Sequence, residues 1–233
     1  MPATDIKVSG TARDVRTPDR AEVRLQVSKW GRDWDSIHHA VTVTVGGLTN
    51  AIKELESDHP HALFDHSIDQ ISQRRWTDGI GTAYSETVDL LVVFVDFQVM
   101  SRWVFNQSSE DVHVDQIRWQ LSPSARNELS ISLSVEAIRN ARRKAETFAV
   151  AAGLTVVGIH TLTDTATDED SQPATSSAPF DGRGSQTGAD SVNITPVPIE
   201  TKIVIEAHFL AEPDPASSSF PATRRLVPSF TPA

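Results

Sequence analysis

The chain contains no cysteine, which excludes a disulfide framework, a thiolate metal site and cysteine catalysis. Basic residues are in deficit, 21 against 31 acidic, and the formal charge is −10. A general nucleic-acid-binding surface is therefore not expected, and polyanions are poor partners. No apolar run approaches the roughly 18 to 20 residues that cross a bilayer, so no transmembrane segment is expected. The first sixteen residues, MPATDIKVSGTARDVR, hold neither an apolar leader core nor a small-residue cleavage site after one. They point to a cytoplasmic location, with export left open should a leader be missing. The 233 residues, 39% hydrophobic, suit one soluble domain or at most two small ones.

The patterning that is present describes an α+β chain. Ile6 and Val8 alternate with polar neighbours, Gly10 interrupts them, and Ala21, Val23, Leu25 and Val27 project to one face at period two, predicting a strand pair about a turn at Pro18-Asp19. From Trp34 the period changes. Ile37, Val41, Val45, Leu48, Ile52 and Leu55 share one face of an amphipathic helix capped by Asp33 or Asp35. Gly46-Gly47 within it predicts a bend or a close approach to another element. Phe64 to Trp76 reads as a partly exposed strand, Asp78-Gly79-Ile80-Gly81 as a turn, and Tyr84 to Phe97 as a buried strand, together a long hairpin. A short helix over Val99 to Phe105 follows, then a strand through Val112, Val114, Ile117, Trp119 and Leu121 with room for a bulge.

A long helix is predicted from Asn127 or Ser130 to Ala152, with Leu133, Ala137, Ala141, Ala145, Phe148 and Ala152 inward and Gly153 as its C-cap. Its alanines allow close approach to a sheet. Strands through Val156 to Leu162 and Ile199 to Leu210 complete the order. Between them, Asp164 to Thr195 carries six acidic residues against one Arg, half of the chain's formal charge, and is expected to be a flexible insertion. The expected fold is a largely antiparallel sheet covered by one long N-terminal helix and one long C-terminal helix, spanning residues 1–210. Residues 211–233 form a peripheral Pro-containing tail.

Four segments, with the hydrophobic hairpin between the first and the second, resemble in this order the SIMPL-domain family (DUF541), related to bacterial periplasmic or outer-membrane immunogenic proteins. They are IKVSGTARDVRTPDRAEVRLQVSKWGRDW from Ile6 to Trp34, DVHVDQIRWQLSP from Asp111 to Pro123, VEAIRNARRKAETFAVAAGLTVVGI from Val135 to Ile159, and IETKIVIEAHF from Ile199 to Phe209. The resemblance covers about residues 5–210. It implies a SIMPL-like α+β fold and supplies no established catalytic signature. Some family members are similar to ring-forming proteins or are linked to stress tolerance or signalling.

Chemistry-bearing residues are present without a distinctive motif. His59-x-His61, with His66 or Asp58, has metal-compatible spacing, but no HExxH array accompanies it. His113-x-Asp115 places a base and a carboxylate at period two on a strand, with no GxSxG elbow to supply a nucleophile. Gly79-x-Gly81 suits a turn rather than a phosphate cradle, and the acidic pairs suit helix ends and loops. No cofactor or metal is expected. Trp30, Trp34, Trp76, Trp103 and Trp119 are candidate interface anchors, and Arg139, Arg142 and Arg143 are candidate contacts for an acidic partner. The sequence therefore points to a noncatalytic structural or protein-interaction module, self-associating as a homo-oligomer or bound to another protein. The alternative is a hydrolase or small-ligand-binding protein with a pocket near His113 and Asp115.

Overall fold

The computed structural model describes residues 3–164 and 194–214. The acidic insertion, apart from its ends, and the tail beyond Asp214 lie outside the described residues. Ten elements follow in the expected order: β1 (Thr4–Arg16), β2 (Arg20–Gly31), α1 (Trp34–Asp58), β3 (Leu63–Asp78), β4 (Gly81–Phe94), α2 (Phe97–Gln107), β5 (Val112–Gln120), α3 (Pro123–Ala151), β6 (Leu154–Asp164) and β7 (Ile199–Pro213). The fold is α+β with antiparallel strand pairing. It differs from expectation in holding two sheets rather than one. It also has three helices among the described residues, and its last described element is a strand.

The chain divides into two compact units. One holds β1 up to Asp14, α3 from Leu129, β6, and β7 from Lys202; the other holds Val15 to Glu128 together with 194–201. The predicted pairing of β1 with β2 is not what forms. β1 belongs to the three-stranded sheet β1-β7-β6, whereas β2 lies between β4 and β5 in the four-stranded sheet β3-β4-β2-β5.

In the larger unit, Ala21, Val23, Leu25 and Val27 of β2 and Val88, Leu90, Val92 and Phe94 of β4 are buried on one sheet face. Side chains of α1 and α2 cover that face, and Val197 and Ile199 pack at its margin. Full burial of each Val, Leu or Phe side chain there contributes about 1.5–3 kcal/mol. Helix α1 begins where Asp33 accepts a hydrogen bond from the Ser36 amide at 3.2 Å, and Ile37, Val41, Leu48 and Ile52 form its buried stripe. A methyl group on Gly46 or Gly47 would meet nothing within 4 Å, so the close approach expected there is absent.

In the smaller unit, Ala141 and Ala145 of α3 pack on Val8, Ala207 and Phe209. Small side chains let helix and sheet approach closely, and Gly10 makes the approach closer still. A Cβ on Gly10 would lie 1.9 Å from the carbonyl oxygen of Ala137 and 2.7 Å from the amide nitrogen of Ala141. Gly10 therefore does not break β1, which runs through it; it makes room for the α3 backbone. Phe148, expected inward, is exposed and Ala149 takes the buried position, because four-residue steps from Ala137 reach 141, 145 and 149. The helix also starts earlier than predicted. The Ser122 hydroxyl accepts from the Ala125 amide at 3.3 Å, and Pro123 occupies the first turn, where a missing N–H costs nothing. At the other end Gly153 takes φ +67°, the left-handed conformation of a helix stop.

Candidate interaction surfaces

The four-stranded sheet has one face under helices and one largely polar face, on which Leu91 and Val93 of β4 are apolar exceptions. Its register arranges the polar face in cross-strand rows. Gln26 of β2 lies beside Asp89 of β4 and then Gln70 of β3; Ser28 lies beside Thr87 and Ser72; Trp30 lies beside Ser85 and Arg74. Gln26 donates to Asp89 at 3.2 Å, and the hydroxyls of Ser28 and Thr87 are 3.1 Å apart. Gln26, Ser72, Arg74, Thr87 and Asp89 are among the residues lining a groove of about 340 Å³. Trp30 stands beside its Arg74 row, 78% exposed, and Trp76 of β3 follows one row further along, opposite Ala83.

His113 reaches the same face, in register with Gln26. Asp115 does not share its strand period, because the pairing shifts between Arg24↔Gln116 and Leu25↔Val114 and leaves Asp115 as the extra residue of a bulge. The bulge was anticipated in this strand; its effect on the His113-Asp115 pair was not. No hydrogen bond joins the two side chains among the described residues, so the base-carboxylate arrangement read from the sequence is not assembled.

The remaining candidate tryptophans divide by burial. Trp103, 6% exposed, and Trp119, 3% exposed, lie in the core, where Trp103 packs on Phe94 and Trp119 on Phe97. They belong to the packing of the unit rather than to its surface. Trp34 stacks on His38 with ring centroids 5.7 Å apart and tilts against Tyr84.

Beside that stack sits a residue the sequence analysis did not single out. Glu86 of β4 is 3% exposed. Its carboxyl oxygens lie 3.0 and 3.3 Å from Nδ1 of His38, and the Gln73 amide donates to it at 3.0 Å. A signal for it was present: counting by two along the buried face of β4 gives Tyr84, Glu86, Val88, Leu90, Val92 and Phe94, one acid in an apolar row.

Among the described residues no group of three or more His, Asp or Glu side chains gathers as a metal site. His66 instead lies 3.3 Å from Glu56 of α1. His208 pairs with Asp5 at 3.0 Å. Two aspartates have pKa values below the ordinary carboxylate range. For Asp33 the causes are the Ser36 hydroxyl and the Ser36 amide; for Asp78 they are led by the Ile80 amide, then Arg32 and the Gly81 amide, against some desolvation. Both groups serve a helix start or a turn.

Arg139, Arg142 and Arg143 do share a surface. With Glu136 and Glu146 they line an open hollow of about 780 Å³ along α3. Its charge is already partly matched, since Arg142 Nε lies 2.9 Å from Glu146, while Arg143 donates to the amide oxygen of Asn140.

Among the described residues the margin of the larger sheet is also uncovered. β3 terminates the strand order and pairs only on its β4 side among the described residues. Phe64, Ile68, Ile71 and Trp76 are exposed along it, and Ile80 at the hairpin tip. Arg20 caps one of them, its guanidinium carbon 3.4 Å from the Phe64 ring centre. An edge strand carries unpaired backbone donors and acceptors that another strand can satisfy.

No helix among the described residues is long and apolar enough to cross a membrane. No curated protein matches the chain. Comparison with known families matches residues 6–209 to SIMPL, described as a protein of unknown function (DUF541). With nearly the whole of both units inside that match, the chain belongs to the SIMPL family.

Proposed function

We propose that this chain is a structural protein-interaction module that self-associates, without a catalytic centre of its own. The observation that carries this reading is β3, a 16-residue margin strand exposed at nearly every position and carrying several large apolar side chains. Isolated exposed apolar residues are ordinary, but an exposed row on a strand with a free edge is a ready pairing surface. Light scattering coupled to size-exclusion chromatography, over a protein-concentration series, tests it. A mass that settles at a multiple of 25.5 kDa is expected; a monomer throughout would sink the reading.

The groove on the open sheet face favours a second reading, a small polar ligand held by Arg74 and the neighbouring hydroxyls and amides with Trp30 alongside. Binding there should change Trp30 fluorescence, and that change should vanish in Trp30→Phe while the other four tryptophans still report the fold. A screen of sugars and small anions that leaves the emission unchanged would remove this alternative.

A further inference from the structure

We infer that two copies of the chain join edge to edge through β3, antiparallel and about a two-fold axis between Asp69 and Gln70. This rests on the self-association reading above and names its surface. The β3 side chains that share a face determine the pairing. The register with β4 puts His66, Ile68, Ile71 and Gln73 on the helix-bearing face, and Asp65, Ser67, Gln70, Ser72 and Arg74 on the open face. The change of parity occurs at a shift between Ile68 and Gln70, where Asp69 has no partner on β4.

In a strand without a bulge, a two-fold placed between two adjacent residues would set opposite faces against each other. With the bulge at its centre, β3 obeys a different rule: residues on either side of Asp69-Gln70 match face to face. Ile68 of one copy then lies opposite Ile71 of the other, His66 opposite Gln73, Ser67 opposite Ser72, and Asp65 opposite Arg74. Each contact occurs twice, as two-fold symmetry requires.

The chemistry of these pairs is complementary. Ile68 and Ile71 are 53% and 60% exposed in one copy, and the pairing would gather four isoleucines on one face. Arg74 has no carboxylate partner among the described residues, and Asp65 bonds only the next backbone amide, that of His66. Shifting the axis by one residue along β3 in either direction loses this match: one shift sets His66 against Ile71, the other sets Ile68 against Gln73 and His66 against Arg75. A bulge ordinarily turns an edge away from its neighbours. At the axis, each copy's extra residue is answered by the other's.

The absence of cysteine allows a direct test. Residues opposite each other in an antiparallel pair have Cα atoms about 4.5–5.5 Å apart, within disulfide reach. Ser67 of one copy and Ser67 of the other would be about 16 Å apart along the strands. Full-length Ser67→Cys and Ser72→Cys proteins, mixed and oxidised, should form a covalent dimer, whereas each alone should not. Asp65→Arg and Arg74→Asp should each raise the dissociation constant at least tenfold, and the double exchange should restore it. Circular dichroism of each variant checks that it is folded. If the unmodified chain associates but the mixed cysteine pair does not crosslink and the charge exchanges change nothing, this interface is wrong while self-association stands. A monomeric unmodified chain overturns both.

Discussion

At Gly10 a single methyl group decides whether β1 and α3 can lie together. The atoms it would strike are backbone atoms of Ala137 and Ala141, which cannot rotate aside as a side-chain tip can. Gly10→Ala should therefore cost at least about 3 kcal/mol, the upper range for overpacking, measurable as a fall in urea midpoint. Asp78 gives a second residue-level expectation. Its carboxylate accepts from the amides of Ile80 and Gly81 at 2.9 and 3.0 Å and meets Arg32, so its folded pKa is lowered. A lowered pKa contributes stability that is present above the unfolded value and is lost as pH falls through the folded one. Asp78→Asn should consequently be less stable than the parent at neutral pH, with the gap narrowing below the ordinary carboxylate range. Denaturation midpoints of both proteins against pH would show it, and a gap constant down to acid would exclude a role for the charge. His38→Ala leaves the Glu86 carboxyl, buried beside Trp34 and Tyr84, with Gln73 alone, and should cost about 1–3 kcal/mol by the same unfolding measurement.

At the scale of elements, α1 is the place where stability has been left unused. Gly46 and Gly47 lie in helix with open space around them, so replacing either with Ala should stabilise by about 0.5–1 kcal/mol, seen as a raised Tm. Element order and most boundaries were legible because the periods are clean: two along Ala21 to Val27, and three or four from Ile37 to Leu55. The Asp78-Gly79-Ile80-Gly81 turn was legible from its residues, and Gly81 takes a positive φ of 135° there. What stayed hidden depends on partners distant in sequence. No local pattern says that β1 leaves β2 for β7, that Gly10 answers a helix more than a hundred residues away, or that a bulge separates Asp115 from His113. The candidate surface was legible only in part. Trp30 and Trp76, candidate anchors by sequence, are exposed, but Trp103 and Trp119 look the same in one dimension and are buried. Ile68 and Ile71 lie on a strand expected to be partly exposed, but no local pattern says that β3 ends its sheet and leaves both uncovered.

For the molecule as a whole, protection from hydrogen exchange should follow the strand order of the larger sheet. Amides of Val23 to Val27 and Val88 to Val92, in strands paired on both sides, should exchange most slowly, while the outward amides of β3 exchange fast in dilute solution. If copies pair through β3, those amides should slow as protein concentration rises, with β5 unchanged. The smaller sheet imposes a schedule on the growing chain. Its middle strand is β7, which the ribosome makes last of the described elements, while its outer strands β1 and β6 are made earlier. At roughly 5–20 residues per second, β1 waits on the order of ten seconds or more for its neighbour, while the strands of the larger sheet are all available by Gln120. A message cut short before Ile199 would thus release a product with one finished sheet and two strands missing the one that belongs between them, a natural substrate for chaperones and proteases.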